Sequence, residues 1–474
     1  MRHHGTPYRL LLALAFLLGF GPSSDVQAVP SAGTGLGDVV RVSLWGHVAV
    51  DEIVVIPRAR DLTLTTDSKS WTVRADQEIH MRRSGDQVEV RFGAQRVLAH
   101  EVSLEGHEEG AFDLQIPSQE GIRTYTGSLD VVVDPADDDL HLINRVPLED
   151  YVASVVGAEY GLQDVEGAKA MAVVARTYAL FSLRQDRYLH DSERSQVYQG
   201  LHRANASARQ AAQATAGEVI TWGGNVIEAV YSASNGGRTA SNTSAWGSQP
   251  LPYFASRKDP WDARVSPHAS WDWEMDAEKL ENALARAFDM NEVRGIEIRQ
   301  RAEDGRVTRI RLEGPRGNKE ISGNAFRAAV SRAFGVMTIK SVYFDMSLRR
   351  NGYRFDGRGF GHGVGLSQWG AHGMARDGHS YKEILDFYYA GTSLERIPTQ
   401  AIPAVLASDA DPYEANPSNG NDQIGPDSAG AMAADATGPQ SVEDAAASKA
   451  EAGKDDKKGS PETRNKKKSR RIGW

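Results

Sequence analysis

From Val39 to about Ile143 apolar side chains recur at every second position, and no other feature constrains the fold as strongly. The runs Val40-Arg41-Val42-Ser43-Leu44, Gln87-Val88-Glu89-Val90-Arg91-Phe92 and Leu129-Asp130-Val131-Val132-Val133 all carry this alternation. Successive side chains of a strand point to opposite faces, so such runs read as half-buried strands. Ser84-Gly85-Asp86 and Pro135-Ala136-Asp137-Asp138 separate them as turns.

The period changes at Pro147. Helices are expected over about Leu148–Glu159 and Val165–Leu183, and an alanine-rich one around Ala204–Ala216. Strands are expected at Glu218–Trp222, Val226–Tyr231 and Ser341–Phe344, with further helices at Ala277–Phe288 and Asn324–Phe334. Ile296–Arg301 and Val307–Leu312 form an expected hairpin around Asp304-Gly305. The fold class is therefore α+β, with mixed helices and mostly antiparallel strands. Its expected parts are a β-rich segment (37–143), a mixed core (144–398) and a disordered tail (403–474).

The two ends have characters of their own. Arg2 and Arg9 precede the apolar run Leu10–Phe20, and Val26-Gln27-Ala28 offers a small-x-small cleavage site. The run is short for a bilayer span, so residues 1–28 read as a secretory signal peptide, with an uncleaved anchor as the alternative. The expected location is the periplasm or cell envelope. The chain contains no cysteine, which removes disulfides and thiolate-bound metals. A net charge of −9 argues against a general nucleic-acid binder. Beyond Pro403 the sequence is poor in bulky apolar groups and ends in Lys466-Lys467-Lys468-Ser469-Arg470-Arg471. That basic end suits contact with anionic envelope polymers, or it is simply a solvated tail.

One carboxylate stands out. Leu148, Tyr151, Val152, Val155 and Val156 form a core-facing stripe, and extending it by one turn lands on Glu159. Desolvation and the negative end of the helix dipole would both favour its protonated form, as a general acid requires. Gly161 follows as an expected left-handed helix terminator. A frayed, solvated glutamate is the competing reading. Lys169 and Arg176 share one face of the next helix, suited to an acidic substrate group or to pairing with carboxylates such as Glu166.

Two loops are dense in small and polar residues. Tyr231-Ser232-Ala233-Ser234-Asn235-Gly236-Gly237-Arg238-Thr239 offers hydroxyls and an amide on flexible backbone, and Trp246 and Tyr253 offer stacking faces. That chemistry suits a sugar, although an ordinary polar turn would look similar. The second loop, Gly357 to Ala371, has glycine at alternate positions through Gly365 and carries His362, Ser367, Gln368 and Trp369. It satisfies neither GxGxxG nor a P-loop, and no GxSxG nucleophile elbow occurs around these serines.

The ordered set Asn144-Arg145-Val146-Pro147-Leu148-Glu149-Asp150-Tyr151-Val152, Val155-Val156-Gly157-Ala158-Glu159, Ala175-Arg176-Thr177-Tyr178-Ala179, Ser234-Asn235-Gly236-Gly237-Arg238-Thr239 and Gly359-Phe360-Gly361-His362-Gly363-Val364-Gly365-Leu366-Ser367-Gln368-Trp369-Gly370-Ala371 resembles the SpoIID/LytB family. The resemblance runs from about Val39 to Ile397. It implies a peptidoglycan lytic transglycosylase acting on denuded glycan strands, with a non-catalytic enhancer of a peptidoglycan amidase as the alternative. Glu159 falls on the family's catalytic position. Lys169, Arg176, Tyr231, Ser234, Asn235, His362, Ser367 and Gln368 are then the expected substrate contacts. No cofactor is expected, and no metal, since the His190-Asp191 segment lacks the cysteine that zinc-binding members use. Met171 and Phe360 depart from the family pattern, where glutamine and tryptophan are frequent.

Overall fold

The computed structural model describes residues 39–106, 110–134, 138–184, 188–192, 195–350 and 352–397. The expected signal peptide and the expected tail lie outside these residues. The alternating segment folds into two sheets. One has the strand order Leu189–His190, Val39–Leu44, Asp139–Pro147, Ser128–Asp134, Glu101–Gly106, Leu62–Thr66, Ser70–Val73. The other runs Ile122–Thr126, Ala111–Gln115, Glu52–Arg58, Ile79–Ser84, Gln87–Phe92, Gln95–Ala99. Pairing is antiparallel except where Val42 and Ser43 meet Leu189 and His190. The apolar positions of the alternation, Val40, Val42, Leu129 and Val131 among them, are buried.

The long strand Asp139–Pro147 aims the first helix. It is paired from Leu142↔Leu44 to Pro147↔Val39, and the chain then turns directly into α1 (Leu148–Glu159). Proline suits that junction because the missing N–H would have no intrahelical partner there. Glu149 and Asp150 fill the first turn, where the helix dipole favours negative charge. The helices α2 (Val165–Arg184) and α3 (Ala206–Ala214) pack on α1 in the same apolar core as the two sheets. At Gly157 a Cβ would collide with the Arg203 carbonyl, so glycine lets the loop before α3 lie directly on α1.

After Glu218–Trp222 come α4 (Asn242–Trp246) and α5 (Pro260–Val265). Residues Trp271 to Phe355 then build a second apolar cluster from two three-stranded sheets, α6 (Ala277–Ala287) and α7 (Gly323–Phe334). The chain returns to the first core through α8 (Gln368–Arg376) and α9 (Tyr381–Tyr388). The class is α+β.

Three local expectations are corrected. The helix α1 ends at Tyr160 (φ −117°, ψ 76°), not through a left-handed Gly161, because the Tyr160 hydroxyl donates to Asp164 and ties the exit to the start of α2. The expected strand Val226–Tyr231 is split into Asn225–Val226 and Tyr231–Ser232, which pair with different partners. The strand placed at Ser341–Phe344 begins at Phe344 and runs to Arg349, while Ser341 uses its hydroxyl to hold the Arg358 carbonyl at 2.6 Å. The Asp304-Gly305 hairpin forms as expected, with Gly305 at φ +94°.

Candidate active site

The apolar stripe of α1 carries Glu159 inward, and the residue is 2 % exposed. Its Oε1 accepts hydrogen bonds from the Val197 N–H (2.9 Å) and the Tyr231 hydroxyl (3.1 Å). The Tyr231 oxygen in turn accepts from Gln196 at 3.5 Å, and the Gln196 amide oxygen accepts from Tyr151 at 3.0 Å. Burial pushes the Tyr231 hydroxyl well above the ordinary tyrosine range, and the neighbouring Glu159 charge pushes it further, so it stays a donor. The backbone carbonyl of Glu159 accepts from the Gln368 side chain at 2.9 Å. The two glycine-rich loops therefore meet at this carboxylate: Tyr231 and Ser232 pair in parallel with Leu366 and Ser367.

The alternating glycines have a steric cause. Gly359, Gly361, Gly363 and Gly365 all have φ between +67° and +100°. Side chains there would also collide, at Gly365 with the Val230 carbonyl and at Gly363 with the Arg306 guanidinium. The spacing encodes a backbone that winds closely past its neighbours.

Beneath the loops lies a cage that sequence reasoning missed. Asp262 accepts from Ser234 Oγ (3.0 Å), Ser367 Oγ (2.6 Å), Gly237 N (3.0 Å) and Asn235 N (3.2 Å). Asp259 accepts from the Asn235 side chain (2.7 Å) and the Tyr388 hydroxyl (2.6 Å). Burial raises the Asp262 pKa to about 6; its donors oppose the shift and Asp259 adds to it. Arg306, 2 % exposed, bonds to the Asn235 and Arg238 carbonyls and pairs with Asp304. The signal available in the sequence was Asp259-Pro260, an N-cap aspartate before a first-turn proline.

The expected substrate contacts divide accordingly. Ser234, Asn235 and Ser367 are 1 % exposed or less and spend their hydrogen bonds inside the cage. Arg176 is fully buried, paired with Glu149 at 2.5 Å and bonded to the Ala212 and Glu218 carbonyls. The expectation that these four bind substrate directly is corrected: they are scaffold, because each has its partners within the protein. Lys169 pairs with Glu166 at 2.7 Å, and Glu166 also accepts from the Tyr381 N–H, so this ion pair docks α2 to α9. Tyr231 and Gln368 touch Glu159 itself. Next to them in the chain, Ser232 Oγ, Gln368 Oε1 and Trp369 Nε1 are buried and have no hydrogen-bond partner among the described residues.

His362 lies farther along the second loop, packed on Trp246 with ring centroids 5.3 Å apart. Its Nδ1 accepts from the Val364 N–H at 3.0 Å, which assigns the neutral ring's proton to Nε2. Among the described residues, no three His, Asp or Glu side chains gather as a metal site, and no helix is long and apolar enough to cross a membrane.

A family model described as Stage II sporulation protein matches residues 136–222, the segment that carries α1, Glu159 and Val197. A second model, a domain of unknown function (DUF8618), matches residues 251–365. An uncharacterized protein of Brachyspira hyodysenteriae is 31% identical over 312 residues, 63% of this chain and 81% of that protein. A Bacillus subtilis protein named Amidase enhancer is 28% identical over 272 residues, 48% of this chain and 38% of its own length. Stage II sporulation protein D of Bacillus amyloliquefaciens is 26% identical over 283 residues, 54% of this chain and 76% of that protein. The chain belongs to the SpoIID/LytB family.

Proposed function

We propose that this protein is an exported lytic transglycosylase of the cell wall, acting in the periplasm or envelope on denuded glycan strands. Glu159 is its acid and base. The observation that carries the reading is the binding of Oε1 by two donors, Tyr231 and the Val197 N–H, within a carboxyl that is 2 % exposed.

Two hydrogen bonds to Oε1 direct the acid's proton to Oε2. That proton passes to the oxygen linking N-acetylmuramic acid to N-acetylglucosamine as the C1–O bond breaks and an oxocarbenium-like centre forms. The resulting carboxylate takes the proton of the muramyl 6-hydroxyl, whose oxygen closes on C1 to give a 1,6-anhydro end. Glu159 is thereby returned to its acid form, so one carboxyl serves both steps. Exclusion of water favours this ring closure over hydrolysis.

Denuded strands treated with the mature protein should yield 1,6-anhydro ends by mass spectrometry. Reducing ends would instead identify a muramidase. The relative named Amidase enhancer favours a second reading, a glycan-binding activator of a peptidoglycan amidase. Under that reading the strands stay intact while the partner amidase speeds up.

A further inference from the structure

A cleft of about 1550 Å³ opens beside the second glycine loop, walled on one side by the Arg238–Gly247 segment and on the other by the hairpin at Gln300–Arg309 and by α7. Its volume exceeds the usual 300–1,000 Å³ of a small-ligand site, which suits an extended chain. Trp246 and His362 form an aromatic face in it. Arg238, Arg309 and Arg332 also line it, and among the described residues none of the three is in an ion pair. Of its acids, Asp304 is held by Arg306 and Glu320 by Arg311, which leaves Glu303 facing Arg238, Arg309 and Arg332, with a fourth lining arginine, Arg327, donating to the Ile339 carbonyl. Thr308 Oγ1 lies in this lining, buried and without a partner. The first turn of the twelve-residue helix α7 belongs to the same wall and brings the positive end of its dipole.

We infer that this cleft binds the flanking sugars of a glycan strand and reads the free lactyl carboxylate of each N-acetylmuramic acid. For the identity of the strand this rests on the function proposed above. Removing a stem peptide hydrolyses the amide at the lactyl group and leaves a carboxylate, so a denuded strand carries one negative charge per disaccharide. In a strand that keeps its peptides the same position is a neutral amide. A planar guanidinium matches a carboxylate in two-point geometry, and an aromatic face matches the apolar side of a pyranose. The cleft therefore selects denuded strands by charge, away from the cleavage point. Its second wall comes from residues 251–365, which match a domain of unknown function.

The test is equilibrium binding to the full mature chain carrying Glu159→Gln, so that no strand is cut. Three ligands are compared: denuded strands, peptide-bearing strands, and chitooligosaccharides, which share the backbone but have no lactyl group. Denuded strands should bind about tenfold more tightly than the other two, and high salt should erase the advantage. Arg309→Gln with Arg332→Gln, both at exposed positions, should remove the advantage and leave chitooligosaccharide binding unchanged. Trp246→Ala should weaken all three ligands alike. Equal affinity for denuded strands and chitooligosaccharides would overturn the inference, as would arginine substitutions without effect. Tighter binding of peptide-bearing strands would also overturn it, because the peptide's own carboxylates would then be what is read. Failure here leaves the formation of anhydro ends to be judged separately, and absence of cleavage would leave arginine-dependent binding intact.

Discussion

The surroundings of Glu159 and the arginine cleft treat charge in opposite ways. Around Glu159 the protein closes in: Tyr231, Val197 and Gln368 hold the residue from several sides, and Asp262 and Asp259 lock the loops beneath. The cleft lined by Trp246, Arg238, Arg309 and Arg332 is wide, and those three guanidinium groups are in no ion pair among the described residues. The difference follows from what each region is asked to do. Proton transfer at a glycosidic oxygen needs one carboxyl held in place with little water, whereas gripping a long strand needs reach and several modest contacts. Substitutions near Glu159 should therefore cost folding or rate, and substitutions in the cleft should cost affinity.

The largest effect is expected at Arg176. Replacing it with alanine leaves the Ala212 and Glu218 carbonyls and the Glu149 carboxylate without their shared donor. Urea denaturation should show a loss of about 3 kcal/mol, at the lower end for a broken buried pair because Glu149 is partly exposed. A loss below about 1 kcal/mol would break the contrast between the two regions.

Asp262 supplies a pH dependence. Its folded pKa of about 6 lies above the ordinary aspartate value near 4, so folding takes up a proton between the two. That contribution is complete below the unfolded pKa and is lost as pH rises through the folded one. Stability should fall by about 2 kcal/mol between roughly pH 4 and pH 7 from this group. In Asp262→Asn that slope should be missing; an unchanged slope would detach the cage from the titration.

Tyr231→Phe should lower the cleavage rate about tenfold with little change in unfolding, since it removes one hydrogen bond to the carboxylate that forms as Glu159 gives up its proton. A rate equal to that of the parent would mean that Val197 suffices to hold Oε1. The smallest effect belongs to Leu348, which is 71 % exposed on the strand Phe344–Arg349. Leu348→Ser should change stability by less than about 0.5 kcal/mol, and a larger loss would show that this surface is packed.

Much of this was legible in the sequence. The stripe ending at Glu159 fixes which way the carboxylate points, because helical periodicity records what faces the core. The period-two runs report the two sheets for the same reason. For Arg176 the sequence left substrate binding and carboxylate pairing both open, because its spacing from Lys169 defines a face but not what that face meets; the partner is Glu149. Only tertiary packing reveals that Arg176 satisfies the ends of α3 and of the following strand. Ser234, Asn235 and Ser367 looked like sugar ligands because their partners, Asp259 and Asp262, stand apart from them in the chain. The glycine alternation was visible as a pattern, yet its cause, four residues at positive φ pressed against Ser234, Ser232, Arg306 and Val230 in turn, is a matter of three-dimensional contact.

The most direct test of the account is the rate at which 1,6-anhydro ends form from denuded strands with Glu159→Gln, beside the parent protein and after equal folding is established by circular dichroism. Glutamine keeps the shape and can still accept from Tyr231 and Val197, but it cannot give or take the proton. The account predicts a fall of at least about a hundredfold, the scale of a lost general acid and base. An undiminished rate would contradict it.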